Sequence, residues 1–321
     1  MSFGGRRLFD YAELLTAMVL WGSLYPSSKL VLVHLSPVLV ALARAFIAFL
    51  VLGALILLRG MGREAISEFR YHPWPSASLG LVSFFLSSLL AMLSAHYLPA
   101  SVVGMIVATS PMWLSLATIT FRRRTGSKRM LLGAGIALTG VGMVLFKDGV
   151  AVVLAGEGLN PLGIVVALLC AMVIALQAGW GRRVMVGRDP TVVTCLGCAW
   201  SLPPLLALAV AEGSMGSLFT LSGPTLGLML YLGIGCTALN FTLFNHALKR
   251  VPGEQAAAFQ YLIPFISALF AHVFLGEILT WTLVVGGLVI VLGLVLTQQR
   301  ERTVDDAEVC CERRGDVLAG R

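Results

Sequence analysis

Charge is what this chain has least of. Asp, Glu, Lys and Arg make up 12% of its 321 residues, where a soluble domain of this size carries about a quarter. With 58% hydrophobic residues and a mean hydropathy of +0.89, that scarcity excludes a water-soluble globular domain. Carboxylates are scarcer still inside the apolar runs. No Asp or Glu lies deep in any of them; Glu13 stands near an entrance and Glu277 in a short connection. A proton relay through buried carboxylates is therefore not expected, and one based on histidine stays open. The runs also lack a paired-carboxylate, Ser–His or HExxH arrangement, which argues against a membrane-embedded protease or lipid transferase. No metal-ligand or cofactor motif is present, so no metal and no cofactor is expected. Strict alternation of polarity is missing too, which argues against barrel strands. Cysteine is sparse, with six in all. Cys170, Cys195, Cys198 and Cys236 fall within apolar runs, where packing explains them, and Cys310 and Cys311 sit in a charged tail open to acylation.

What the chain does have is long apolar runs of roughly 18–24 residues, each enough to cross a hydrocarbon core about 30 Å thick as a helix. Ten are counted: 11–33, 36–58, 74–97, 99–121, 128–146, 160–182, 190–211, 224–246, 252–275 and 279–298. The expectation is an all-α polytopic membrane protein with ten transmembrane helices. The first run follows Arg6 and Arg7 but is too long for a leader and has no small-x-small cleavage site, so it reads as a retained anchor.

The net charge of +7 does not point to nucleic acid. Arg6, Arg7, Arg59, Arg63, Arg70, Arg122, Arg123, Arg124, Lys128, Arg129, Arg182, Arg183, Arg188, Lys249 and Arg250 all fall on one side as the spans are walked, together with the arginines of the tail. The other side holds only Lys147, and Lys29 and Arg44 lie inside spans. The positive-inside rule then puts both termini in the cytoplasm of a multi-pass protein of the cell (inner) membrane.

A single offset of 153 residues, without gaps, aligns the backbone-determining positions. Lys29 meets Arg182, Pro37 meets Pro190, Gly80 meets Gly233, Pro99 meets Pro252 and Pro111 meets Pro264. Phe121 meets Phe274, Gly133 meets Gly286 and Gly140 meets Gly293. Shared Pro and Gly registers weigh more than matching leucines, because both residues mark special backbone. The chain reads as two copies of a five-helix unit. Five is odd, so the second copy enters the bilayer inverted, an architecture that places a site at the repeat interface near the midplane.

"WGSLYPSSK" in the first span, "SPVLVALARAFIA" in the second and "VPGEQAAAFQYLIPFISALFAHVFLGE" in the ninth resemble the EamA-type branch of the drug/metabolite transporter superfamily. The resemblance covers about 11–298. It implies ten helices with termini inside, residues 11–150 and 151–298 being one EamA-like repeat each, flanked by tails 1–10 and 299–321. It further implies export of small metabolites, amino acids or related compounds, by alternating access. A flippase for a lipid-linked intermediate is the alternative, with Lys29 and Arg44 able to begin a phosphate site. The pattern departs at Arg124, which stands where the second repeat has Glu277.

The residues expected to line a substrate path follow from cost: ionisable groups within spans face a cavity or a protein partner. Trp21, Tyr25 and Lys29 are four apart and share a helix face, beside Pro26, which frees a backbone carbonyl. That face suits a zwitterionic or amphipathic metabolite; for Lys29 the bland alternative is snorkelling. Arg44 lies about eight residues into its span, fit to meet a substrate carboxylate or to bond carbonyls at a broken neighbour. Gln177, Trp180, Asn240, Gln260 and Tyr261 are the second-repeat candidates, with helix-to-helix hydrogen bonding as their ordinary role. Pro26, Pro111 and Pro264 are expected to break their helices and to serve in gating, the latter two lying past mid-depth. The partners expected are a small-molecule substrate and lipid, with no nucleic acid and with homodimerisation open.

Overall fold

The computed structural model describes residues 3–122, 128–145, 159–185, 187–248, 250–251 and 259–298, and these are helical with short connections and no strand among them. Lys147, Arg123, Arg124, residues 252–258 and the tail with Cys310 and Cys311 lie outside the described residues, as do the side chains of Arg182 and Arg183. The helices are α1 (Phe3–Leu32), α2 (Pro37–Leu58), α3 (Gly62–Tyr71), α4 (Pro73–Tyr97), α5 (Ala100–Val107), α6 (Ser110–Arg122) and α7 (Lys128–Leu145). They continue as α8 (Pro161–Val184), α9 (Pro190–Ala211), α10 (Gly223–Ala247), α11 (Ile263–Leu275) and α12 (Trp281–Gln298). α2, α4, α8, α9 and α10 are long and apolar enough to cross a membrane, and shorter apolar helices fall on α5 with α6, α7, α11 and α12. The chain thus folds as an all-helical bundle of the polytopic membrane kind.

The offset of 153 residues reappears as local structure. Ser36 caps α2 by accepting from the Leu39 amide at 3.2 Å, with Pro37 in the first turn. At the related place Asp189 caps α9, accepting from Thr191 at 2.8 Å and Val192 at 3.3 Å, with Pro190 following. In both, the side-chain oxygen satisfies donors of the first turn and the proline occupies a position whose N–H has no partner to lose. α5 ends at Val107 and α6 starts at Ser110, with Pro111 second; α11 starts at Ile263, with Pro264 second, after a turn at 261–262. Proline cannot donate to the preceding turn, so both helices restart at related positions.

Two irregularities are marked in the sequence only by the shared register of Gly80 and Gly233. Residues Gly80–Leu86 of α4 and Tyr231–Leu239 of α10 are π-helical. Shifted by 153, the first maps onto 233–239, inside the second. Gly80 and Gly233 allow these segments to be approached closely: a Cβ on Gly80 would stand 2.5 Å from the Gly197 carbonyl oxygen, and one on Gly233 would stand 2.6 Å from Ile47 Cβ. Prolines elsewhere do not break helices. α1 runs through Pro26 and α9 through Pro203 and Pro204, so Pro26 leaves the Gly22 carbonyl without its intrahelical bond but ends nothing.

Packing exchanges elements between the two halves. α2 packs on α9 and on the π segment of α10, while α9 packs on the π segment of α4. α1 packs on α11, α8 on α6, and α7 on α12. The α7–α12 contact is a glycine seam: a Cβ on Gly140 would lie 2.7 Å from the Gly286 carbonyl oxygen, and one on Gly293 would lie 2.6 Å from that of Gly133. Small residues let backbones approach and gain van der Waals contact where lipid supplies no hydrophobic drive. α3, outside the expected spans, is amphipathic and has no buried residue; it is tied to the bundle by a Glu68–Arg188 ion pair at 2.7 Å and a Phe69–Trp200 stack.

Candidate functional site

Polar groups collect where α1, α2, α4 and α10 meet. Tyr25 is buried at 4% exposure, and Arg44 is buried at 7%. Arg44 Nη2 donates to Thr237 Oγ1 at 3.2 Å, and its Nη1 lies 3.9 Å from the Met92 sulfur. Thr237 in turn donates to the Leu232 carbonyl at 2.9 Å, across the widened turn of the π segment. Tyr25, Cys198 and Cys236 are the electrostatic neighbours of the guanidinium. Asn240, three residues beyond Thr237, is fully buried, and neither its amide oxygen nor its amide nitrogen has a partner; Arg44 Nε and the Ser28 hydroxyl also have none. Ser23 on α1 and Tyr231 on α10 share a hydrogen bond at 2.5 Å.

An aromatic surface adjoins this cluster. Trp21 meets Phe244 with ring centroids 4.9 Å apart and Phe241 at 5.8 Å, and Phe241 meets Phe84 at 5.2 Å. The seam around Arg44 is built twice. Arg44 and Thr237 are related by the 153-residue offset to Gly197 and Phe84, and a Cβ on Gly197 would touch the Phe84 ring at 3.2 Å. One copy of the seam is cationic and hydroxylic, the other glycine against phenyl.

Each end of the bundle is pinned by charges. At one end Lys29 Nζ donates to the Leu98 carbonyl at 2.5 Å. Beside it the Glu277 carboxylate accepts from the Ala100 amide at 2.7 Å, the Ser101 amide at 3.1 Å and the Ser101 hydroxyl at 2.5 Å. Pro99, at the N-cap of α5, offers no side-chain acceptor, so a carboxylate from the far half does the capping. At the opposite end Glu13 faces Arg250 at 2.6 Å and His246 at 3.0 Å, and Asp10 faces Arg250 at 3.2 Å. The two carboxylates are buried and the cations more exposed.

The candidates divide accordingly. Arg44 is joined to Thr237 with Tyr25 nearby, Asn240 lies three residues beyond Thr237 on α10, and Trp21 packs on Phe241 and Phe244 of α10. Lys29, on the same face of α1, is committed to the Leu98 carbonyl beside Glu277. Tyr261 packs against the main core, half-buried, and Gln260 is half-buried one turn before Pro264. Gln177 is half-buried on α8. Trp180 is not brought in: it is 42% exposed and donates to Ser78 at 2.9 Å across the α8–α4 seam. His96 and His272 are exposed near helix ends. Sequence reasoning missed Thr237, Tyr231 and the capping role of Glu277. The Gly80–Gly233 register was the available signal for the π segments, but nothing local announced a bond from Glu277 to residues more than 170 positions away.

The family model of EamA-like transporters matches residues 11–146 and again 161–298. An uncharacterized transporter of Archaeoglobus fulgidus is 23% identical over 285 residues, covering 88% of this chain and 95% of that one. A protein of Salmonella typhimurium named a probable amino-acid metabolite efflux pump is 26% identical over 208 residues, covering 62% of this chain and 67% of its own length. A solved crystal structure superposes with a TM-score of 0.63 over 92% of this chain and 99% of that one at 20% identity, a likeness of fold. With two matches that together span nearly every described helix, the chain belongs to the EamA-like transporter family.

Proposed function

We propose that the protein exports small amphipathic metabolites, amino acids or related compounds, across the cell (inner) membrane by alternating access. In this reading residues 11–150 and 151–298 are inverted repeats, both termini are cytoplasmic, and the substrate sits between the repeats at Trp21, Tyr25, Arg44 and Asn240. The observation that carries it is the recurrence of helix breaks and π segments at positions related by one offset, around buried polar groups without partners. Interrupted helices at equivalent depth in both halves are a pointer to a transporter site, and π segments recur at functional sites. The name of the Salmonella typhimurium relative supports the amino-acid class. The Lys29 end then faces outward and the Glu13 end inward, and the two sets of charged contacts act as alternating latches.

Counterflow of labelled amino acids in liposomes tests this reading, with phospholipid scrambling measured in the same vesicles. Saturable exchange without scrambling is expected. Scrambling without exchange would assign the lipid-flipping alternative instead.

A further inference from the structure

Among the described residues, Arg44 brings a charge into the buried cluster that no carboxylate compensates. A desolvated charge needs pairing, yet among the described residues no Asp or Glu reaches this guanidinium. Its contacts are a threonine hydroxyl and a thioether, and its Nε has no partner. It lies seven residues after Pro37, about 11 Å along α2 at 1.5 Å per residue, too deep for its head to reach water along the stem.

A purely structural role is disfavoured by the molecule itself. The related seam between α9 and α4 closes with Gly197 on Phe84, so this packing needs no guanidinium. The Arg44 seam instead leaves donors and an acceptor unspent: Arg44 Nε, and both amide atoms of Asn240 one turn from Thr237. Guanidinium forks match carboxylates with two parallel hydrogen bonds, and a neutral amide can complete the shell without adding charge. Next to Asn240 in the chain, Phe241 packs against Trp21 and against Phe84, an apolar lining of which Trp21 and Phe241 are the half-buried part.

We propose that Arg44 binds the carboxylate of the transported molecule, with Asn240 completing its hydrogen bonds and the Trp21–Phe241–Phe84 surface taking its apolar body. The inference rests on the transport reading and narrows its substrate to amphipathic monocarboxylates. An amine or amide of the same shape is then a poor ligand.

The test is thermal stabilisation of the purified full chain in detergent by matched sets: each of a panel of amino acids, its carboxamide and its decarboxylated amine. Acids are expected to stabilise the wild type at about tenfold or more lower concentration than their amides, in line with the strength of charge-assisted pairs. Arg44→Gln should abolish that preference and Arg44→Lys should keep part of it. Equal stabilisation by acid and amide in the wild type overturns the proposal, whether or not Arg44→Gln can be purified. An Arg44→Gln protein that melts lower yet keeps the acid preference overturns it too, as does a wild type that no member of the panel stabilises. Exchange in liposomes without acid preference defeats this inference alone, whereas acid preference without exchange defeats the transport reading alone.

Discussion

Replacing Glu277 with alanine should loosen the Lys29 end of the bundle measurably. α5 begins directly after Pro99, whose side chain cannot cap, so the amides of Ala100 and Ser101 and the Ser101 hydroxyl all donate to this one carboxylate. Removing it orphans two backbone donors and takes a negative charge from a helix N-terminus. An unsatisfied buried donor costs about 1–3 kcal/mol, and the lost dipole interaction about 0.3–1 kcal/mol. Glu277 is only half-buried, so water recovers part of this, and about 2–4 kcal/mol is the expected loss. At about 2–4 °C per kcal/mol for large domains, the melting midpoint in mild detergent should fall by roughly 4–16 °C. Glu277→Gln keeps one acceptor oxygen and should lose about half as much. If Glu277→Ala melts within about 1 °C of wild type, the cross-repeat cap contributes nothing and the reasoning fails.

Other substitutions probe the remaining contacts. Gly293→Leu should force α7 and α12 apart, at about the 1–3 kcal/mol typical of overpacking, while Gly53→Leu on α2, with open space around it, should melt like wild type. Arg250→Ala strands the buried carboxylates of Asp10 and Glu13. Because Arg250 is partly exposed, the cost should be about 1–3 kcal/mol, and Glu13→Gln in the same protein should restore part of the lost melting temperature. Ser23→Ala and Tyr231→Phe remove the same hydrogen bond, so their combined effect on melting should be clearly less than the sum of the two.

Composition and prolines made much of this architecture legible. The helix restarts at Pro111 and Pro264 were expected because a missing N–H is a local property of the residue. The α7–α12 seam was readable for the same reason: Gly133, Gly140, Gly286 and Gly293 recur every seven residues on one face. Pro26 misled in one respect, since α1 packs on α11 and α10 along its length and holds its course through the proline. Trp180 stands apart from the other candidates, bonded to Ser78 across the α8–α4 seam, a placement that an aromatic residue at the end of an apolar run does not announce. The π segments and the Glu277 cap were illegible for a different cause. An extra residue in a turn has no side-chain signature, and a bond between residues 277 and 100 exists only once the two halves are packed. Arg44 was visible as costly from sequence, but its pairing with Thr237, against Gly197 and Phe84 in the related seam, required the fold.

The central claim is that two copies of one unit thread the bilayer in opposite senses around the buried cluster. Thr125 and Ile278 are equivalent under the 153-residue offset. Cysteines introduced one at a time at these positions, in a background with Cys310 and Cys311 changed to serine and the buried Cys170, Cys195, Cys198 and Cys236 left as they are, can be labelled in intact cells with a membrane-impermeant maleimide, with the parent background as control. Ile278→Cys should react from outside, and Thr125→Cys only after the membrane is permeabilised. Labelling of both from the same side would contradict the inverted arrangement and the transport mechanism built on it.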